Sequence, residues 1–307
     1  MEGKVICVVG PTCSGKTKLG ILLADKLNGE IISADSRQIY KYLNIGTAKP
    51  SREELKRVKH HFISSLKPDE EFNVSKFEWD ALNIIQNLFD KGMQPIVVGG
   101  SGLYLKALID GIFDTVDTDD DYRSKLIELK EKHGNEYLYR ELQNVDPESA
   151  KKMMPSNWKR IIRALEVFHI TGMPIGVHQK IYERKINFNF VQYGLNWKRD
   201  SLYRNIEYRV DEMLKSGLIK EVKNIFKKGF DKKLNSLNTV GYREIISFLD
   251  NEITQDRAIE LIKRNTRRYA KRQLTWFRKD VRIKWSDIEN SSELENISEK
   301  IITNLGR

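Results

Sequence analysis

The chain has 307 residues, 40% of them hydrophobic and 31% charged, enough for one large domain or two ordinary ones with a substantial core. No run of about 18 apolar residues occurs, so no membrane-spanning helix is expected, and the opening Met-Glu-Gly-Lys does not read as a signal peptide. The net charge of +10 suggests a polyanionic partner, though a solvated lysine-rich surface gives the same sum.

The two cysteines, Cys7 and Cys13, have no CxxC or Cys/His spacing, so neither a disulfide framework nor a zinc site is expected, and a reducing cytoplasm is the default location. In chain order, residues 4–10 (KVICVVG) form a continuous β-rich apolar run, the pattern of a parallel strand buried on both faces. A helix from 15 to 28 follows, with Leu19, Leu22, Leu23 and Leu27 on one face. EIISAD, 30–35, is a second short strand ending in an acid. Residues 75–91 place Phe77, Ala81, Ile84, Ile85 and Leu88 at helical spacing. QPIVVGG, 94–100, is a third strand, and 103–109 reads as helix. This alternation predicts a parallel sheet wrapped by helices. At about 114 the texture changes: an acid-rich run from Asp114 to Asp121 opens a segment, reaching about 186, with helical stretches at 122–133, 135–143, 147–153 and 157–170 and no strand. FVQYGLNW, 190–197, returns the chain to the sheet. Helices dominate from 200 onward, followed by a strand at 281–285 (VRIKW) and a C-terminal helix.

Gly10-Pro11-Thr12-Cys13-Ser14-Gly15-Lys16-Thr17 fits GxxxxGK[ST], with a strand before it and a helix after it. Such a loop turns successive backbone N–H groups inward, and the helix N-terminus and Lys16 add positive charge. The Thr17 hydroxyl is placed to ligate Mg²⁺. Cys13 fills a free position of the motif. The motif specifies phosphates, not a nucleotide. A P-loop ATPase also uses an acid at the end of an apolar strand, whereas IVVGG runs into Ser101, so routine ATP hydrolysis is not expected. The expected fold is α/β: a P-loop NTPase-like parallel sheet core, residues 1–113 and 187–307, carrying a helical insertion domain, 114–186.

Asp35 ends the second strand at the carboxyl edge, where open α/β sheets bind ligands, and can serve there as a base or as a helix N-cap for SRQIY. Gly99-Gly100-Ser101-Gly102 brings a hydroxyl to the same edge, or simply makes a capped turn into the next helix. His60-His61 has no partner ligands in the sequence and reads as polar packing. RNTRRYAKRQLTWFRKDVRIK, 264–284, holds nine Lys or Arg residues against one acid, Asp280, with Ala270, Leu274 and Phe277 as an apolar stripe. That imbalance favours a phosphate backbone as ligand. Tyr269 and Trp276 read as packing residues.

Taken together, GPTCSGKT (10–17), DSRQIY (35–40), IGTAKP (45–50), HHFIS (60–64), VGGSGLYLKAL (98–108), KRIIRALEV (159–167), KEV (220–222), TVGYREI (239–245) and RRYAKRQLTWFR (267–278) resemble, in order and spacing, the tRNA dimethylallyltransferase family. The resemblance implies transfer of a five-carbon group from dimethylallyl diphosphate to N6 of adenine 37 in tRNA, releasing pyrophosphate. It implies that the loop holds the diphosphate with Mg²⁺ on Thr17 and assistance from Arg209, and that Asp35, Ser101 and Lys16 are catalytic. It implies that tRNA is contacted by Asp35, Ser36, Arg37, Gln38, Ser101, Arg123, the run Lys159, Arg160, Ile161, Ile162 and Arg163, and by Arg267 and Arg268. Lys159 stands where the family more often has glutamine, and Ser101 where it usually has threonine. The expected partner is the tRNA anticodon stem-loop, and the expected state is a monomer without membrane contact. Two other readings stay open on the residues alone: a P-loop small-molecule kinase with the insertion as a lid, and a non-catalytic RNA-binding protein.

Overall fold

The computed structural model describes residues 3–113, 116–181, 184 and 186–306. It divides into two compact units, Met1–Ile109 with Asn187–Arg307, and Asp110–Ile186. Asp114, at the start of the acid-rich run, lies outside the described residues.

The larger unit begins with β1 (Gly3–Val9), α1 (Lys16–Leu27), β2 (Gly29–Ala34), α2 (Arg52–Arg57), β3 (His60–His61), α3 (Val74–Asp90), β4 (Gln94–Gly99) and α4 (Gly102–Asp110). The smaller unit holds α5 (Asp120–His133), α6 (Asn135–Val145), α7 (Pro147–Ala150), α8 (Trp158–Thr171) and α9 (Ile175–Ile181). The chain then adds β5 (Phe188–Trp197), α10 (Arg199–Lys215), α11 (Leu218–Lys227), α12 (Tyr242–Leu249), α13 (Gln255–Phe277), β6 (Lys284–Ile288) and α14 (Leu294–Asn304) to the larger unit.

Six strands form one sheet in the order β3-β2-β4-β1-β5-β6, and every ladder is parallel. Parallel strands need both faces covered, which explains why Val5 to Val9 are all buried. Register then decides where the site lies. Val9 pairs with Gly99, and Gly99 with Ala34. The turns that follow β1, β2 and β4 therefore leave the sheet at one level of its carboxyl edge. A core of Ile6, Val8, Leu19, Leu23, Ile96 and Leu195 packs beneath them, each such side chain contributing about 1.5–3 kcal/mol by burial.

Two elements depart from the sequence reading. The last strand starts at Lys284, not Val281, because Asp280 nucleates a turn: its carboxylate accepts from Arg282 N at 3.0 Å and Nε at 2.8 Å, and Ile283 N donates to Asp280 O. The third helix expected in the insertion stops at Ala150 and gives way to a 3₁₀ turn at Pro155–Asn157.

The insertion closes on its own core of Leu126, Leu138, Leu142, Ile161, Ile162 and Leu165. Beside that core Glu166 is fully buried and accepts from Asp119 N (3.1 Å), Arg123 Nη2 (2.9 Å) and Arg163 Nη1 (2.7 Å). Removing one partner of a buried pair costs about 3–5 kcal/mol. The arginines keep 36% and 21% of their side chains exposed, which softens the loss. Glu166→Ala is expected to destabilise the insertion by about 2 kcal/mol or more; urea unfolding measures it, and a loss within experimental error refutes the structural role.

Candidate active site

The phosphate loop is built by three local devices. Gly10 takes φ 146° and Gly15 φ 89°, and Cys13, at φ 62°, also lies in the left-handed region, so the chain wraps between β1 and α1. Gly15 caps α1 without a side-chain acceptor, which leaves the first-turn amides free for an anion. Neighbouring side chains pin the loop from outside: Trp197 Nε1 donates to Ser14 O at 2.9 Å, and Gln273 Oε1 accepts from Thr12 N at 2.8 Å. Pro11 is buried and its carbonyl accepts from Lys16 Nζ. Ser14 Oγ is buried with no hydrogen-bond partner among the described residues. The Thr17 hydroxyl makes no hydrogen bond among the described residues and is half-exposed.

Enclosure of its ammonium, reinforced by the charge of Arg209, pulls the Lys16 pKa down to about 8, against the opposing fields of Cys13 and Asp35. Lys16, Arg209 and Asp35 therefore share one electrostatic neighbourhood, although they come from the first loop, α10 and the end of β2. Cys13, Gly15, Trp197, Arg204, Tyr208 and Arg209 line a cavity of about 570 Å³ at this loop.

Asp35 makes the cap that the sequence allowed and keeps one carboxylate oxygen clear of it. Its Oδ1 caps the following turn, accepting from Arg37 N (2.8 Å) and Gln38 N (3.3 Å). Its Oδ2 accepts no hydrogen bond among the described residues. The Ser101 hydroxyl, from the turn after β4, accepts from Ser36 N at 3.2 Å, so the two turns are tied directly. Tyr104 and Tyr269 both feel the Asp35 charge, and burial raises both phenols.

The glycines of VGGSG face protein. A Cβ on Gly100 would lie 2.3 Å from Gln273 Nε2, and one on Gly102 2.3 Å from the Trp276 ring. Helix α13 occupies the space beside Gly100 and Gly102. Gln273 is a site residue that the sequence reading missed. Its signal was a polar residue between Ala270 and Phe277, inside the apolar stripe.

Several residues expected to contact tRNA have other partners. Ile161 and Ile162 are buried in the insertion core, so their side chains cannot touch RNA. Gln38 spends its amide on Thr47 O (3.1 Å) and Ala48 O (3.2 Å), and its carbonyl accepts from Ser33 Oγ. Arg37 Nη1 donates to Asn235 O at 2.7 Å. Arg123 and Arg163 hold Glu166, and Arg267 pairs with Glu207 at 2.7 Å. Lys159 and Arg160, at the start of α8, are exposed. So is Arg268, which with Lys271, Arg272, Thr275, Trp276 and Lys279 lines a groove of about 370 Å³ along α13. His60 Nδ1 donates to Val58 O and His61 Nε2 to Glu30, while His60 Nε2 is buried without a hydrogen-bond partner among the described residues. No three His, Cys, Asp or Glu side chains converge on a metal-sized site among the described residues. No described helix is long and apolar enough to cross a membrane.

The comparisons fit this geometry. Residues 38–280 match the family model described as IPP transferase. A tRNA dimethylallyltransferase of Acetivibrio thermocellus is 47% identical over 305 residues, covering 98% of this chain and 96% of that protein. The crystal structure of a tRNA isopentenylpyrophosphate transferase from Bacillus halodurans superposes with a TM-score of 0.73 at 38% identity, covering 100% of this chain and 97% of the other. A eukaryotic dimethylallyltransferase acting on tRNA gives a TM-score of 0.84 at 30% identity, covering 98% and 80% respectively. With most of its length inside the family model and near-complete alignment to such relatives, the chain belongs to the IPP transferase family.

Proposed function

We propose that the chain transfers a dimethylallyl group from dimethylallyl diphosphate to N6 of adenine 37 in a tRNA anticodon loop, releasing pyrophosphate. The observation that carries this reading is the shared neighbourhood of an anion cradle, Lys16 and Arg209 with Asp35, whose second carboxylate oxygen has no described partner.

The diphosphate lies on the loop amides and Lys16. The N6 lone pair attacks the allylic carbon, the carbon–oxygen bond breaks, and the electron pair leaves with pyrophosphate. Lys16, Arg209 and the free amides of α1 stabilise the charge that grows on the leaving group. Asp35 Oδ2 accepts the N6 proton while Oδ1 stays on its cap, so the base is held in place through the step. Ser101 steadies the turn that carries Asp35 and Ser36. The hydroxyls of Thr17 and Ser14, which have no hydrogen-bond partner among the described residues, suit a divalent cation at the loop. Thr17 would hold Mg²⁺ together with the diphosphate, and the ion would neutralise leaving-group charge. The adenine must leave its stack to reach this edge, at a cost of a few kcal/mol that is smallest for a loop base. The groove on α13, with Arg268, Lys271 and Arg272, supplies phosphate contacts, and Lys159 and Arg160 add others.

Label from dimethylallyl diphosphate should enter unmodified tRNA on incubation with the purified chain; ATP-dependent phosphorylation of a small molecule without such transfer would sink the proposal. Asp35→Asn keeps a cap acceptor but cannot take the proton. It should slow single-turnover transfer about a hundred- to ten-thousand-fold with RNA affinity little changed; equal losses in both leave Asp35 only a structural role. Lys16 is charged below its pKa and neutral above it. Pyrophosphate affinity of the free protein should therefore fall roughly three- to tenfold as pH rises from about 7 to 9, more steeply than in Lys16→Arg. The ligand's own titration is common to both proteins, so parallel profiles would remove Lys16 from the cradle. Arg268→Ala with Arg272→Ala should lower the slope of log affinity for RNA against log salt by about one unit per lost phosphate contact; an unchanged slope places the RNA elsewhere.

A further inference from the structure

Helix α13 has two chemically different faces. Arg268, Lys271, Arg272 and Lys279 line the cationic groove. Tyr269 and Gln273, spaced at i and i+4, lie on the face turned toward the catalytic loops, whereas Trp276 lines the groove and reaches from its edge to Gly102. Tyr269 lies within the field of Asp35, and Gln273 bridges Thr12 and Gly100.

Gln273 makes the strongest of these links. It is 7% exposed, accepts from Thr12 N at 2.8 Å and donates from Nε2 to Gly100 O at 2.8 Å. One carboxamide thus joins the loop after β1 to the turn after β4, the first carrying the anion cradle and the second Ser101. It uses one loop N–H and thereby fixes how the remaining amides point. Gly100 has no room for a side chain because the Gln273 amide fills it.

We infer that Gln273 is a positioning residue that makes the geometry of the diphosphate cradle depend on the seating of α13, so that RNA held on the outer face of the helix changes anion affinity on the inner face. This rests on the reading of the α13 groove as an RNA surface. Displacement of α13 must move the Thr12 amide or break a buried hydrogen bond and leave a partner unsatisfied. A penalty of that kind couples the two sites.

The test reads binding on the full chain without turnover, so it is decided separately from whether prenyl transfer occurs. Isothermal titration gives the Kd of inorganic pyrophosphate with and without a saturating anticodon stem-loop RNA. In the unaltered protein the two values should differ about fivefold or more. In Gln273→Met, which keeps volume but loses both hydrogen bonds, the ratio should collapse to within about twofold of one, with RNA affinity alone within about twofold of the unaltered value. Gln273→Glu keeps the acceptor for Thr12 N and loses the donor to Gly100 O, so its ratio should fall between the two. No RNA dependence in the unaltered protein, or a full ratio in both variants, overturns the inference; so does a loss of RNA affinity equal to the loss of coupling. A thermal-unfolding series checks the contact itself. Gly100→Ala should lower Tm markedly in the native background and far less with Gln273→Ala, and an equal drop in both backgrounds excludes the contact.

Discussion

A helix that starts on an uncapped left-handed glycine leaves its first amides without partners, and the larger unit is organised around keeping that deficit available to an anion. Gly15 supplies the conformation and no side-chain acceptor. A free loop with this geometry would collapse onto its own carbonyls or wander. It does neither because it is held from several directions: β1 anchors it at sheet level, Trp197 takes the Ser14 carbonyl, and Gln273 takes the Thr12 amide. The unsatisfied polarity is thus preorganised, and little rearrangement is needed for the loop to receive an anion.

A second carboxylate does for the turn behind Asp35 what these residues do for the cradle. Glu221, on α11, accepts from the amides of Asn44, Ile45 and Gly46 and from Tyr242 Oη at 2.6 Å. Hydrogen bonds to a charged group contribute about 1.5–3 kcal/mol each, so the 44–46 loop is strongly fixed. That loop continues to Thr47 and Ala48, whose carbonyls hold Gln38, and Lys49, its pKa drawn down to about 8 by burial, ties Tyr40 O to Ser64 and Asn44. Asp35 sits at the head of the same turn. The segments DSRQIY, IGTAKP, KEV and GYREI are one hydrogen-bonded assembly, and much of what they share is scaffolding for a single carboxylate.

The sequence carried the sheet well. A parallel strand buried on both faces has an unmistakable apolar run, and GxxxxGKT constrains a loop through backbone conformation that only certain residues allow. Helix α2 was legible and went unread: Ser51 and Glu54 form a capping box, with the carboxylate returning to Ser51 N at 2.7 Å. The roles of polar residues were less legible. Nothing local says that Arg163 is held by a buried Glu166 three positions on, or that Arg267 finds Glu207 on another helix. Isoleucines within a basic run, such as Ile161 and Ile162, follow the helical period of the core whatever their charged neighbours do. The family likeness transfers positions, and the partners of each side chain appear only once distant segments are brought together.

The contact between Gly46 and Tyr242 extends this point to inheritance. A β-carbon at 46 would lie 2.4 Å from the tyrosine ring, whose hydroxyl is in turn committed to Glu221. Three stretches far apart in the chain are therefore cut to one another's shape. A chimera that borrows any one of them from a relative with a different residue at a matching place would inherit a collision or a hole, so recombination within this family is expected to succeed only when the three travel as a set.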